Sequence, residues 1–195
     1  MKRFEKLFLI LGLLLILSPM ACMKIVSKRS NPFAVVYVPG SHNPVMDMDY
    51  DEQDFVFVFT ANSCYELDTD QDDWNKLFGR GYPTPQGYSA RWTWCYDPKR
   101  KKVALAAYWH HDGKVDWQVV DSVKLNEPIR LSFDDSGYSN YYFFSQKLGK
   151  ERKLTQIPKY HNRLLVKDLN GYFGGNRTPN QPVSYLVYSE YKGLL

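Results

Sequence analysis

Cysteine is scarce, three residues in 195, so the fold does not rest on disulfide staples. No charge of one sign dominates either: 25 Lys and Arg stand against 21 Asp and Glu. Four of those charges, Lys2, Arg3, Glu5 and Lys6, sit in the first 21 residues. The rest keeps 22 of the 25 basic and 20 of the 21 acidic residues, a net charge of +2. With so little basic excess, nucleic acid is not an expected partner. No apolar run reaches the roughly 20 residues of a membrane-spanning helix. There are no internal repeats, no low-complexity tracts and no Ser or Cys in a nucleophile motif.

The longest apolar run is Leu7–Leu17, behind the basic Lys2, Arg3 and Lys6 and ahead of Ser18-Pro19-Met20-Ala21. That order is the pattern of a secretory signal peptide, with Pro19 breaking the helix before a cleavage site. The Ala21-Cys22 junction looks like a bacterial lipobox, although Pro19 and Met20 stand where aliphatic and small residues are usual. The resemblance implies acylation of Cys22 and a membrane partner through the lipid. Residues 1–21 are thus expected to be leader and 22–31, with Lys24, Lys28 and Arg29, a solvated tether. Residues 32–195 form one domain, large enough to bury its own core.

Within that domain the pattern is β. Ala34–Val38 is a short β-branched run and Phe55–Thr60 a concentrated strand signal. In 88–96, Tyr88, Ala90, Trp92, Trp94 and Tyr96 alternate with Ser89, Arg91, Thr93 and Cys95, so the two sets face opposite ways. Val103, Leu105, Ala107 and Trp109 repeat the period. Asp112-Gly113 then marks a type I′ hairpin into Val115, Trp117 and Val119. Ile129–Phe133, Tyr141–Gln146 and Pro182–Tyr191 complete the strands. One short helix is expected over Gln71–Phe78, with Asp70 as N-cap, Asp72 and Asp73 in its first turn and Gly79 as C-cap. The fold class is all-β: an antiparallel β-sandwich, jelly-roll or concanavalin-like, with that one helix.

Candidate chemistry is sparse. Glu66-Leu67-Asp68-Thr69-Asp70-Gln71 resembles the E-x-D-x-x-E strand motif of laminarinase-like glycoside hydrolases, but Gln71 replaces the carboxylic acid that must donate a proton. Asp47, Asp49, Asp51 and Asp54, and Asp68, Asp70 and Asp72, raise calcium as a cofactor. Neither series has the Gly and Glu that an EF-hand loop requires, and a solvated acidic loop is the default reading. His110 and His111 are adjacent on a strand and point to opposite faces, so they do not share a metal. His42 and His161 have no evident partner. Cys64 and Cys95 form an even pair that is read either as a disulfide or as two buried thiols.

Aromatic residues are the surplus, 16% of the chain. Trp92, Trp94, Trp109 and Trp117 lie on three neighbouring predicted strands. They serve either as core or, on an exposed face, as a stacking platform for a glycan. Tyr82, Tyr88, Tyr138 and Tyr172, placed in loops, are further candidate ligand contacts. Gly174-Gly175 reads as a tight turn or a close backbone approach.

Two stretches resemble a family of small proteins common in Bacteroidetes. They are Ser89–Asp97 with the Ala107–Lys114 hairpin, and Gly171-Tyr172-Phe173-Gly174-Gly175-Asn176. The resemblance spans about Leu77 to Tyr188 and implies a concanavalin-like sandwich, with no activity to carry over. The family's Ala-Pro-His-like segment reads Thr178-Pro179-Asn180 here, so any role of that His is missing. The expectation is an exported, lipid-anchored protein of the cell envelope with a binding or structural role and glycan as its ligand. The alternatives are a diverged glycan hydrolase or lyase, and an envelope structural protein without a small ligand. Oligomeric state is not legible.

Overall fold

A computed structural model describes residues 32–45, 53–82, 87–160 and 167–188. The leader, the Cys22 junction and the tether lie outside the described residues, as do Asp47, Asp49, Asp51 and His161. The strands are β1 (Phe33–Tyr37), β2 (Asp54–Phe59), β3 (Asn75–Gly81), β4 (Tyr88–Asp97), β5 (Lys102–His111) and β6 (Lys114–Lys124). They continue with β7 (Pro128–Asp134), β8 (Asn140–Lys147), β9 (Lys153–Pro158), β10 (Lys167–Leu169) and β11 (Val183–Tyr188). Every pairing is antiparallel. One sheet has the order β1-β11-β2-β7-β8-β9, the other β10-β3-β4-β5-β6.

The two sheets bury their facing sides against each other, and most of the aromatic surplus goes there. Phe57 of β2 stacks on Phe78 of β3 with centroids 5.6 Å apart, and Trp92 of β4 meets Phe143 of β8 edge-on at 5.3 Å. The Trp92 Nε1–H donates to the Ser132 carbonyl across the sandwich at 2.9 Å, which satisfies the indole in the dry interior. Burying a ring of this size contributes on the order of 2–3 kcal/mol by area alone. Two ion-pair bridges also join the sheets. Arg80 of β3 reaches Asp135 beyond β7 at 3.2 Å, and Asp121 of β6 takes Lys147 and Lys153 from β8 and β9.

The expected helix over Gln71–Phe78 is absent. Gln71 and Asp72 make a turn, and Asn75–Gly81 is a central strand between β10 and β4. Its pairing with β4 shifts register between Lys76 and Gly79, so Leu77 and Phe78 are both fully buried. That bulge erases the two-residue alternation that would have marked a strand. Asp70, expected as a helix cap, instead accepts the Asn176 amide at 2.7 Å. The helical structure found among the described residues is one 3₁₀ turn, Ala61–Ser63, capped by Thr60. No helix among them is long and apolar enough to cross a membrane.

The β5–β6 hairpin follows the Asp112-Gly113 prediction, with both residues at positive φ, 49° and 73°. The turn sets His111 opposite Lys114, so odd residues of β5 face even residues of β6: Tyr108 pairs with Trp117 and Trp109 with Asp116. A bulge between Leu105 and Ala106 reverses the parity further along, and Val123 turns into the core.

Candidate functional site

The side of the five-stranded sheet turned away from the core holds a cleft of about 520 Å³, within the usual range of small-ligand sites. Its floor comes from the outward alternates of three strands: Lys76 of β3, Arg91 of β4, and Tyr108 and His110 of β5. Its wall is β10 and the segment after it, with Lys167 and Tyr172. Backbone bonds in both directions between Lys76 and Tyr172, at 2.7 and 3.0 Å, extend the β3–β10 pairing and fix that wall. Gly79 is the register partner of Arg91, and a Cβ there would run into the Ala90 carbonyl and the Arg91 stem. The missing side chain is what lets β4 pass this close to β3 at the bulge.

The electrostatics of the cleft are one-sided. The Arg91 side chain makes no hydrogen bond or ion pair among the described residues, and its Nε is sealed from solvent without a partner. Burial pushes this guanidinium down to about 10, with the Tyr108 hydroxyl a weaker opposing influence, so it stays charged at neutral pH. The rest of the side chain keeps some access to the cleft. Burial, and then Arg91, depress the Lys76 ammonium to about 8, against a weaker pull from Asp73. Lys76 Nζ donates to the Trp74 carbonyl at 2.6 Å and lies 4.7 Å from the Tyr108 ring centroid. His110 is pushed down to about 4 by burial, then by Arg91 and Lys76, so it is neutral at pH 7, and its Nδ1 meets Ser89 Oγ at 2.9 Å. The carboxylate on the lining, Asp168, is held by Arg80 Nε at 3.0 Å and Gln53 Nε2 at 3.1 Å.

The residues proposed from sequence separate into three groups. Trp92, Trp94 and Trp109 are at most 7% exposed and belong to the core, so they have no surface to offer a ligand. Trp117 is on the opposite face from Trp109, half exposed, beside Tyr108 and flanked by the exposed Val115 and Val119. Tyr172 lines the cleft and stacks on His42 with centroids 5.1 Å apart and planes 8° from parallel. His42 is fixed in turn by donating Nδ1–H to the Phe173 carbonyl at 2.7 Å. Tyr82 packs edge-on to Tyr88 beside the core and does not line the cleft, and Tyr138 is free in solvent.

The remaining candidates are structural where they are described. Cys64 and Cys95 are free thiols, which resolves that pair against a disulfide. Cys95 Sγ points to the Gln71 carbonyl at 2.9 Å, whereas the Cys64 side chain meets the hydroxyl of Tyr96, the next residue along and on the other face of β4. Glu66 and Asp68 lie exposed in a loop rather than on a strand face. Gln71 clamps that loop by accepting the Leu67 amide and donating to the Tyr96 carbonyl, both at 2.7 Å. Asp54 binds Arg130 and Ser132. Among the described residues no three His, Cys, Asp or Glu side chains gather to hold a metal ion. His111 stacks on Tyr160 and His110 turns the other way. Gly174 passes so close to the Trp74 carbonyl that no Cβ fits, and its amide donates to Asn75 Oδ1 at 2.8 Å.

Sequence reasoning missed Lys76, Arg91, Tyr108, His110 and Lys167 as a group. One signal was available, because the Asp112-Gly113 turn dictates that Trp117 joins Tyr108 on the outward face. No family model, curated protein or solved structure matches the chain.

Proposed function

We propose that the chain is an exported, lipid-anchored binding protein of the cell envelope, and that its ligand is a glycan seated in the cleft of the five-stranded sheet. One observation carries the reading: an open cleft of about 520 Å³ with aromatic rings at its margin and polar donors on its floor. Sugar rings present flat C–H faces edged with hydroxyls, so they suit the exposed rings of Tyr172 and the neighbouring Trp117, with Lys76, Arg91 and Asn43 as donors. Tyr172 is pre-oriented by His42, which lowers the entropy cost of binding. The leader pattern and the Ala21-Cys22 junction support export and anchoring at Cys22.

Hydrolysis by paired carboxylates has no footing at this cleft, where Asp168 is committed to Arg80 and Gln53. A purely structural protein would have its aromatics buried, and Trp117 and Tyr172 are not. The test is tryptophan fluorescence of the mature domain titrated with soluble polysaccharides. Trp117 is half exposed while Trp92, Trp94 and Trp109 are shielded, so a ligand-induced change that disappears in Trp117→Phe locates binding on this face. Silence across a broad panel, with the protein folded, would overturn the reading.

A further inference from the structure

Burying an arginine without a partner is costly, because its hydration is lost and nothing replaces it. Arg91 is in that position: its Nε has no acceptor, and the charge that faces it, Lys76, is of its own sign. Lys76 adds a second cation to the floor, and Lys167 stands on the wall. The nearby acids do not neutralise them. Asp168 is bound by Arg80, and Asp73 acts on Lys76 without an ion pair between them. A fold carries such a group when something outside the chain completes it, and what completes a guanidinium beside an ammonium is an oxyanion. Resting on the glycan reading above, we infer that the ligand is an acidic saccharide whose carboxylate or sulfate is received by Arg91 and Lys76, while its ring lies toward the exposed Tyr172. Tyr108 serves the cation rather than the sugar, since its ring carries Lys76, and its half-exposed strand neighbour Trp117 offers aromatic surface further out.

The alternative for Arg91 is that it only supports the sheet, and stability separates the two. A supporting arginine is missed when it is removed. One held ready for an absent anion is a burden, so Arg91→Met should leave the apo protein as stable as wild type or raise its Tm.

The experiment measures binding of polygalacturonate, dextran sulfate and neutral dextran to the lipid-free mature domain at about 0.15 M salt, where exposed charges beyond about 8 Å are screened. The variants are Arg91→Gln, the surface change Lys167→Gln, and Lys99→Gln at the distant β4–β5 turn as a charge-matched control, with folding followed by circular dichroism. At least one acidic polymer should bind and the neutral dextran should bind more weakly. Arg91→Gln should lower the acidic affinity by about tenfold or more, the worth of one charged hydrogen-bonded contact. Lys167→Gln should lower it severalfold and Lys99→Gln leave it unchanged. A preference for carboxylate or for sulfate then names the source of the anion. Equal binding of acidic and neutral polymers, indifferent to Arg91→Gln and Lys167→Gln, would overturn the acidic specificity and leave the glycan reading standing. Equal losses from Lys99→Gln and Lys167→Gln would also overturn it, by showing attraction without a site. Silence towards all three polymers, with every variant folded, would remove both readings together.

Discussion

The Lys76 ammonium rests 4.7 Å from the centroid of the Tyr108 ring, on the floor of a cleft where Arg91 and, more weakly, Asp73 are the charges that act on it. This places an amine that titrates near pH 8 in a site we assign to an anion. Arg91 stays charged there to about 10, His110 is already neutral, and Tyr108 is shifted upward by burial, against a weaker opposing pull from Arg91. Between pH 7 and 9 the floor therefore loses charge chiefly at Lys76, with Lys167 at the wall and Asp73 behind as the other charges in reach. Affinity for an acidic glycan should fall as pH rises through 8, and Lys76→Met should flatten the fall. An unchanged slope in that variant would assign the titration elsewhere.

His110 sets an acid limit on stability. Unfolded, it takes a proton near pH 6.5; folded, it resists until about 4, because burial and then Arg91 and Lys76 oppose the charge. In that window the unfolded chain binds more protons, so stability is lost as pH falls from about 6.5 to about 4. His110→Asn removes this contribution while keeping a polar partner for Ser89. Between pH 7 and pH 5 the urea midpoint of wild type should fall further than that of the variant, and parallel curves would argue against the assignment.

Asp121 ties the sheets together at the β6 edge. Burial alone would raise its carboxyl. The Ser122 amide and Lys147, with Lys153, outweigh that and hold it below the usual carboxylate range. Its contribution is therefore present near neutrality and is lost as pH falls below the ordinary carboxylate pKa towards its own lower value. Asp121→Ala should cost about 2 kcal/mol in chemical denaturation and Asp121→Asn less, since the amide oxygen still accepts from Ser122 while its nitrogen donates to Ser145 Oγ. A loss within a few tenths of a kcal/mol would mean water replaces the bridge.

Gly174 is predicted to tolerate no side chain. Its Cβ would meet the Trp74 backbone, and the amide bond to Asn75 would have to move with it. Gly174→Ala should destabilise by about 1–3 kcal/mol and weaken ligand binding through the adjacent Tyr172 wall. Normal stability with normal binding would show that the loop relaxes freely.

Much of the sandwich could be read from residue alternation, and the exceptions have identifiable causes. The β4 pattern is clean because one of its faces lies wholly in the core, so Ala90, Trp92, Trp94 and Tyr96 had to share a side. β3 was mistaken for a helix because its bulge sends Leu77 and Phe78 inward together, while Asp70, Asp72 and Gly79 imitate helix caps. The polar edge strand β9 and the three-residue β10 left too little period to detect. Core and platform, weighed for the four tryptophans together, divide between them, because the parity set by the Asp112-Gly113 turn puts Trp117 on the face opposite Trp109.

Local pattern was enough for the β class, most of the strands, and the hairpin with its register, since alternation and turn chemistry act over neighbouring residues. The sequence also contains the leader pattern that points to export. The division of the aromatics between core and surface, and the cleft itself, come from the packing of the two sheets. Lys76, Arg91, Tyr108, His110, Lys167 and Tyr172 come from four strands and a loop, and they meet because β10 returns to pair with β3 beside β4 and β5. Strand order is a long-range property, paid for in loop closure and settled by the packing of both sheets at once, so no local pattern announces it.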